Sequence, residues 1–334
     1  MTGIDLTVIW AGIIGFAIVV YVILDGFDLG IGILFPNFTV GPDRDKAMNS
    51  IAPVWDGNET WLVLGGGGLL AAFPLAYAII LPALYAPLTA MLLGLILRGV
   101  AFEFRWRDPA HRARWDFAFT LGSWVATFAQ GITLGALLQG ITVEGRAYAG
   151  GWWEWLTPFS LLTGAALCAG YALLGSCWLV MKTNGALQRQ AYTYAGRTGI
   201  LLLIAITVVS AATPTLEAKY YERWLEYPNI LAASQVPLAT VIVAFLFFRS
   251  LSQRKEVAPF LYALGLFGLC LIGLGISIWP DVIPGRVSIW AAAAPYESQL
   301  FMLIGAVILV PIILAYTAWA YWVFRGKVDE EGYH

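Results

Sequence analysis

Apolar segments long enough to cross a lipid bilayer follow one another along almost the whole chain. We place nine of them, at 7–35, 57–75, 77–103, 115–141, 157–182, 192–213, 228–249, 257–279 and 299–325. A helix needs about 20 apolar residues to span the hydrocarbon core, and a helix satisfies its own backbone polar groups there. The sequence therefore predicts an all-α, polytopic transmembrane helix bundle, with nine helices that divide into two four-helix bundles plus one peripheral helix.

Composition and the lengths of the connections exclude a soluble protein. Only 12% of the residues are charged, about half of the fraction that soluble domains carry. We expect residues 1–334 to form a single integral-membrane domain, because no connection is long enough for a soluble one. A formal net charge of -2 gives no basic surface for nucleic acid. The longest connections lie around 36–56, 142–156, 214–227 and 280–298.

The boundary between the second and third segments depends on a short interruption. Phe73, Pro74 and Tyr77 break an apolar run at 57–103 that is too long for one crossing. We place the break there. Without it, the chain would have eight spans.

Basic residues predict the orientation of the bundle, since short basic loops are disfavoured on the outer side. With the N-terminus outside and the C-terminus inside, the inner segments hold fourteen Lys and Arg residues and the outer segments hold four, with Arg98 inside the third span. The inner set is Arg44, Lys46, Arg105, Arg107, Arg112, Arg114, Lys182, Arg189, Arg197, Arg249, Arg254, Lys255, Arg325 and Lys327, and the outer set is Arg146, Lys219, Arg223 and Arg286.

Histidines and cysteines are few. His111 sits in an Arg-rich loop and His334 is the last residue, so neither lies where it could ligate a haem inside the bilayer. Cys168, Cys177 and Cys270 lie inside apolar runs and form neither a disulfide framework nor a metal-ligand cluster. We expect this chain to hold no cofactor or metal with its own side chains.

The first span carries two carboxylates, Asp25 and Asp28, within LDGFDLGIG. Residues three apart lie on nearly the same helix face, and Gly26 and Gly30 have the spacing that lets another helix approach closely. We expect a carboxylate pair held against a neighbouring helix. Two nearby like charges disfavour double ionisation, which makes proton uptake near neutral pH feasible. The alternative is structural: one Asp bonds to a helix terminus or pairs with Arg98.

A second polar stretch, NSIAPVWDGNETWLVLGGGG, enters the second span from the inner side. Asp56 and Glu59 are again three apart. The pattern is equally typical of a helix N-terminus, where acidic side chains favour the positive end of the dipole. The glycines at 65–68 predict very close backbone packing, which offsets their cost in helix propensity.

Arg98 is the natural counter-ion for one of these carboxylates. By depth along their spans, Asp25, Asp56 and Arg98 all lie in the inner half of the bilayer. The sequence therefore predicts a single inward-facing polar cluster.

Four features of the sequence resemble subunit II of the cytochrome bd-type quinol oxidases. They are LDGFDLGIGIL at 24–34, NSIAPVWDGNETWL at 49–62, Arg98 near the end of the third span, and PIILAYTAWAYWVF at 311–324. The GNETW form with its glycine run is closer to the cyanide-insensitive branch than to the enterobacterial enzymes, which have Gln-Val in place of Glu59-Thr60.

The resemblance implies a haem-free subunit of a terminal quinol:oxygen oxidoreductase in the bacterial cytoplasmic (inner) membrane. Haems b and d and the quinol site would belong to a polytopic partner, subunit I, and quinol would be the substrate of the complex. A small single-span accessory subunit, and a lipid or quinone between the helices, are the other partners that it implies.

Carried over by motif, Asp25 and Asp56 resemble acids on a proton route from the cytoplasm along the subunit interface. We include Asp28 and Glu59 in this predicted proton pathway, although Glu59 departs from the enterobacterial pattern and its role stays open. Trp61 resembles a tryptophan at the mouth of a hydrophobic channel for oxygen. No catalytic residue is expected in this chain.

Two other functions fit the residues alone. A proton-coupled secondary transporter also carries intramembrane acids near helix breaks, but we find no paired Gly- or Pro-broken segments at equivalent positions of two halves. The third alternative is a purely structural anchoring subunit, in which the carboxylates do no chemistry.

Overall fold

In the computed structural model, which describes residues 5–328, the chain forms long helices joined by short turns and two small antiparallel hairpins. The α-helices are α1 (Leu6–Leu34), α2 (Pro42–Asn49), α3 (Trp55–Ala72), α4 (Pro74–Ala83), α5 (Tyr85–Arg107), α6 (Arg112–Leu138), α7 (Pro158–Lys182), α8 (Gly185–Ala212), α9 (Ala218–Leu225), α10 (Asn229–Ala233), α11 (Gln235–Ser252), α12 (Ala258–Ile278), α13 (Ile289–Ala292) and α14 (Tyr296–Val323). The hairpins pair β1 (Val143–Glu144) with β2 (Ala147–Tyr148) and β3 (Asp281–Ile283) with β4 (Val287–Ser288). Single 3-10 turns lie at Phe35–Asn37, Pro109–His111 and Thr213–Thr215.

The all-α, polytopic prediction is confirmed. Among the described residues, eight helical segments are long and apolar enough to cross a membrane, and α3 with α4 makes a ninth if that bent pair counts as one span. The eight are Leu6–Asn37, Tyr85–Arg107, Pro109–Leu138, Pro158–Lys182, Gly185–Thr215, Asn229–Ser252, Ala258–Ile278 and Tyr296–Val323.

The predicted third span, 77–103, is wrong at its start. α3 ends at Ala72, Phe73 caps it, and α4 leaves at an angle of 120°. Pro74 begins α4, where its missing N–H costs nothing. The chain leaves helical geometry again at Leu84, and the true third span begins at Tyr85.

Helix packing joins two groups of helices through α7. The helices α1, α3, α5 and α6 pack together, and α7 joins them to a second group with α8, α11 and α12. The last helix, α14, lies against α1 and α3 at the periphery, with most of its large side chains exposed.

The contact between α1 and α7 is the closest in the region of the predicted carboxylates. A Cβ on Gly30 would overlap the backbone carbonyl oxygen of Tyr171, and one on Gly175 would lie 2.5 Å from the carbonyl carbon of Gly30. Beside this crossing, Phe27 stacks on Trp178 with ring centroids 4.1 Å apart. The small-residue spacing in LDGFDLGIG therefore allows the close approach of a neighbouring helix, as predicted.

The glycine run in α3 follows its prediction only in part. Gly65 and Gly68 are buried against α1, where a Cβ on Gly68 would lie 3.1 Å from Ile14. Gly66 and Gly67 are exposed, with nothing within 4 Å of an added Cβ. A helix turns by 100° per residue, so four consecutive residues cannot all face one neighbour.

Candidate functional site

Arg98 joins two carboxylates from different helices inside the first helix group. Its guanidinium Nη1 donates to Asp25 Oδ1 at 2.9 Å, and its Nη2 donates to Glu59 Oε1 at 2.6 Å. Asp25 is fully buried and Arg98 almost so, whereas the Glu59 side chain keeps 27% of its surface exposed. Buried charges cost several kcal/mol each unless they are paired, so the cation and the two acids depend on one another.

Asp28 lies one turn further along α1 and has neutral partners. Asn58 Nδ2 donates to Asp28 Oδ2 at 2.7 Å, and the Tyr321 hydroxyl donates to Asn58 Oδ1 at 2.9 Å. Asp25 Oδ2 and Asp28 Oδ1 are buried without a hydrogen-bond partner among the described residues. One oxygen of Asp28 is therefore left without a donor among the described residues, and the Asp25 carboxylate has the Tyr21 hydroxyl beside it.

Asp56 does not form an ion pair with Arg98, so the predicted cluster of Asp25, Asp56 and Arg98 is wrong in this member. It is exposed in the first turn of α3, as expected of an acid at a helix N-terminus, and the acid that reaches Arg98 is Glu59. The physical reason is helical geometry: three residues advance by about 300° around the axis. The Arg98 side of α3 therefore receives Glu59, while Asp56 stays on the open side next to it.

A chain of neutral polar groups continues from Asp25 toward the N-terminal end of α1. The hydroxyl of Tyr21 lies beside the Asp25 carboxylate. Gln130 Nε2 donates to the Tyr21 hydroxyl at 2.7 Å, and the Tyr171 hydroxyl donates to Gln130 Oε1 at 3.0 Å. These three residues link α1, α6 and α7 in the interior of the bundle.

Trp61 is fully buried between α3 and α1. Its ring meets Phe16 edge to face with centroids 5.8 Å apart, and its Nε1 has no hydrogen-bond partner within residues 5–328. Its role at an oxygen channel stays a prediction.

The described histidine lies outside the hydrophobic core. His111 is half exposed in the turn before α6, where its Nδ1 lies 3.0 Å from the Asp108 carboxylate. His334 lies outside the described residues. Within 5–328, no group of three or more His, Cys, Asp or Glu side chains is arranged to hold a metal ion.

Sequence reasoning missed several members of this polar network. Tyr321 lies inside the PIILAYTAWAYWVF stretch, but nothing in that pattern shows that it faces Asn58. Tyr21, Gln130 and Tyr171 are uncharged, so a search for intramembrane charges passes over them. A usable signal was Gln130, because an amide in the middle of a span needs polar partners.

The arrangement brings a partly exposed acid and a buried acid to one cation in the membrane-spanning part of the chain. Asp25 lies nine residues from the end of α1, a depth of about 14 Å along the helix. Glu59 is partly exposed at the surface, and Arg98 pairs with both Glu59 and the buried Asp25. A carboxylate of this kind takes up a proton more readily than an amide or a hydroxyl can.

The chain matches the sequence model of one family over nearly its full length. That family is described as cytochrome bd terminal oxidase subunit II, and the match covers residues 6–324.

Curated relatives and a solved structure agree with this match. The chain is 28% identical to cytochrome bd-I ubiquinol oxidase subunit 2 of Escherichia coli strain K12, over 97% of this chain and 95% of that protein. It is 30% identical to a probable cytochrome oxidase subunit 2 of Haemophilus influenzae, with 96% and 94% covered. The fold resembles a chain of the bd oxidase from Geobacillus thermodenitrificans with a TM-score of 0.79 and 16% identity, over 96% and 98% of the two chains.

Proposed function

We propose, from the premise that this chain belongs to the family of cytochrome bd terminal oxidase subunit II, that its buried carboxylates carry protons to the oxygen-reducing centre of the complex. The chain is a multi-span membrane subunit of a bacterial respiratory oxidoreductase, and it works within a multi-subunit complex. The route of the protons, the division of labour between subunits and the orientation in the membrane are the proposal.

The observation that carries the proton route is the Glu59–Arg98–Asp25 bridge. Reducing dioxygen to water consumes protons, which cannot cross hydrocarbon without polar groups. Glu59 is partly exposed, Asp25 is fully buried, and Arg98 touches both. The guanidinium keeps its own protons, so Arg98 holds the two acids near each other and water carries the proton between them. We assign proton uptake to Glu59 and delivery to Asp25, with Asp28 as a second acceptor one turn away. Asp56 lies on the open side of α3, where it can supply protons to Glu59.

The haems belong to the complex, and we assign haems b and d and the quinol site to subunit I. His111 lies on an exposed turn and is held beside Asp108, so it does not offer an imidazole inside the bilayer. The substrate would be a quinol, oxidised in the partner.

The open face of α3 is where we place subunit I. Asp56, Gly66 and Gly67 are exposed along it, together with Val63, which keeps 72% of its surface. A carboxylate is costly against lipid, and small residues allow a partner helix to approach closely. A proton route along this face would run at the subunit interface, and oxygen would reach the partner past Trp61.

A proton-coupled transporter is not favoured. The family match and the relatives, which cover nearly the whole chain, all describe oxidase subunits.

The relay predicts that Asp25→Asn and Glu59→Gln each slow quinol oxidation by about tenfold or more, since removal of a group that transfers protons commonly costs two orders of magnitude or more. The amides keep shape and some hydrogen bonding but do not take up a proton at ordinary pH. Oxygen consumption per haem in the purified complex measures the effect.

The control for these variants is Glu103→Gln, which changes an exposed acid on α5 beyond the cluster. It should turn over like the wild type. Wild-type turnover per haem in both Asp25→Asn and Glu59→Gln would refute the relay. A complex that loses haem while the surviving enzyme turns over normally would show that the carboxylates are structural.

The orientation is tested independently of activity. We expect a cytoplasm-active reporter fused after Tyr333 to give signal and a periplasm-active reporter at the same place to give none, because the predicted inner loops hold most of the basic residues. The reverse pattern would place the C-terminus outside.

A further inference from the structure

A cavity of about 250 Å³ lies where α7 and α14 end. Trp178 and Tyr321 form part of its wall, together with the turn at 49–54 and the chain that follows α14. Among the residues that the structure describes, its lining includes three basic ones and no acidic one. The basic residues are Lys182, Arg325 and Lys327.

Lys182 is a buried cation without a counter-ion within residues 5–328. Its side chain lies in the last turn of α7, and the residue keeps only 8% of its surface exposed. The ammonium donates to the carbonyl oxygen of Phe324 at 2.6 Å and lies 5.1 Å from the centre of the Trp178 ring. No described carboxylate lies within ion-pair distance of it. An ammonium has three N–H donors, so Lys182 has donors and charge left for an anion.

The other two cations are only partly neutralised. Lys327 donates to the carbonyl oxygen of Thr183 at 3.2 Å and forms an ion pair with Glu256 at 2.7 Å. Arg325 lies over the Trp322 ring, 4.3 Å from its centre, and donates to the carbonyl oxygen of Trp322. Among the described residues, the cavity therefore keeps a positive charge balance, because one carboxylate, that of Glu256, pairs with its three cations and Glu256 does not line the cavity.

The ends of two helices would ordinarily repel an anion here, because helix C-termini carry a partial negative charge. In this cavity, the carbonyl groups of Thr183 and Phe324 already accept hydrogen bonds from Lys327 and Lys182. The lysines thus neutralise the partial negative charge at both helix ends.

The cavity lies at the ends of two membrane-spanning helices, which is the depth at which lipid head groups lie. α7 and α14 both end at the cavity after crossing the bundle. Basic pockets between membrane helices bind phosphate-bearing lipid head groups on the cytoplasmic side. We propose that this cavity binds a phosphate group, supplied either by the head group of an anionic phospholipid or by a soluble phosphate ester.

The test uses the purified, delipidated oxidase complex and native mass spectrometry. Dioleoylphosphatidylglycerol and glycerol 3-phosphate are the probes, and the variants are Lys182→Gln, Arg325→Gln and the pair together. Losing one charged hydrogen bond should weaken binding of the phosphate probe about tenfold or more. The control is Lys255→Gln, an exposed lysine in the turn between α11 and α12, which should bind as the wild type does.

Each outcome decides the proposal. Binding of the lipid without the soluble ester supports a head group, and binding of glycerol 3-phosphate in competition with the lipid supports a soluble phosphate compound. Equal binding in all variants, or no binding in the wild type, would overturn the proposal. So would binding that appears only after truncation behind Val328, because the acidic Asp329, Glu330 and Glu331 would then be the occupants. The exposed Arg325 keeps the test available if Lys182→Gln fails to assemble.

Discussion

Alanine in place of Gly30 is expected to destabilise the folded protein by about 3 kcal/mol or more, at the upper end of the cost of overpacking. A Cβ at this position would overlap the backbone carbonyl oxygen of Tyr171 and would lie 2.9 Å from the amide nitrogen of Gly175. Backbone atoms cannot turn aside as a flexible side chain can, so α7 must move away from α1. That movement would loosen the stacking of Phe27 on Trp178.

Thermal unfolding of the purified complex in detergent measures this loss, and we expect Tm to fall by about 5 °C or more. Gly175→Ala approaches the same contact from α7 and should give a similar fall. Gly196→Ala is the matched control, because Gly196 is also a helix glycine but its added Cβ meets nothing within 4 Å. Alanine has a better helix propensity than glycine, so Tm should stay unchanged or rise. Equal Tm values for Gly30→Ala and Gly196→Ala would mean that α1 and α7 are not packed as described.

Membrane helices are easy to predict from sequence because the bilayer fixes their length. The apolar runs therefore located the spans, and the Gly26 and Gly30 spacing located a close helix contact. The bend between α3 and α4 was not predictable in angle, since Phe73 and Pro74 end a helix without fixing where the next one points. Such an angle depends on tertiary packing.

The charged part of the site was visible in the sequence because charges in apolar spans are rare. Asp25, Asp28 and Arg98 could be found by that rule alone. It could not decide between Asp56 and Glu59, because the choice depends on how α3 is rotated about its axis against α5. Tyr321 was missed for another reason: it is 263 residues away from its partner Asn58 in the chain.

Methionine in place of Arg98 is expected to have the largest effect of all on assembly. The substitution keeps an unbranched, apolar side chain of similar reach, but it removes the cation that touches Asp25 and Glu59. Breaking a buried ion pair from one side costs about 3–5 kcal/mol, because the remaining charge has no compensation. We therefore expect little intact complex from Arg98→Met, measured as haem-containing complex recovered by size-exclusion chromatography.

A triple variant separates this structural loss from the proton relay. Arg98→Met with Asp25→Asn and Glu59→Gln removes the cation and both acids that it touches, so no uncompensated charge remains at the bridge, and Asp28 keeps its hydrogen bond from Asn58. Neutral replacement of a buried ion pair is often tolerated. Recovery of the complex should therefore return part of the way toward the wild type, because the buried Asp28 stays without a cation beside it. Turnover per haem should nevertheless stay at least about tenfold low, because Glu59 and Asp25, the proposed uptake and delivery groups, are gone. Full recovery for Arg98→Met alone would show that the bridge does not hold these helices together. Normal turnover in the triple variant would show that protons reach the oxygen-reducing centre without Asp25 and Glu59.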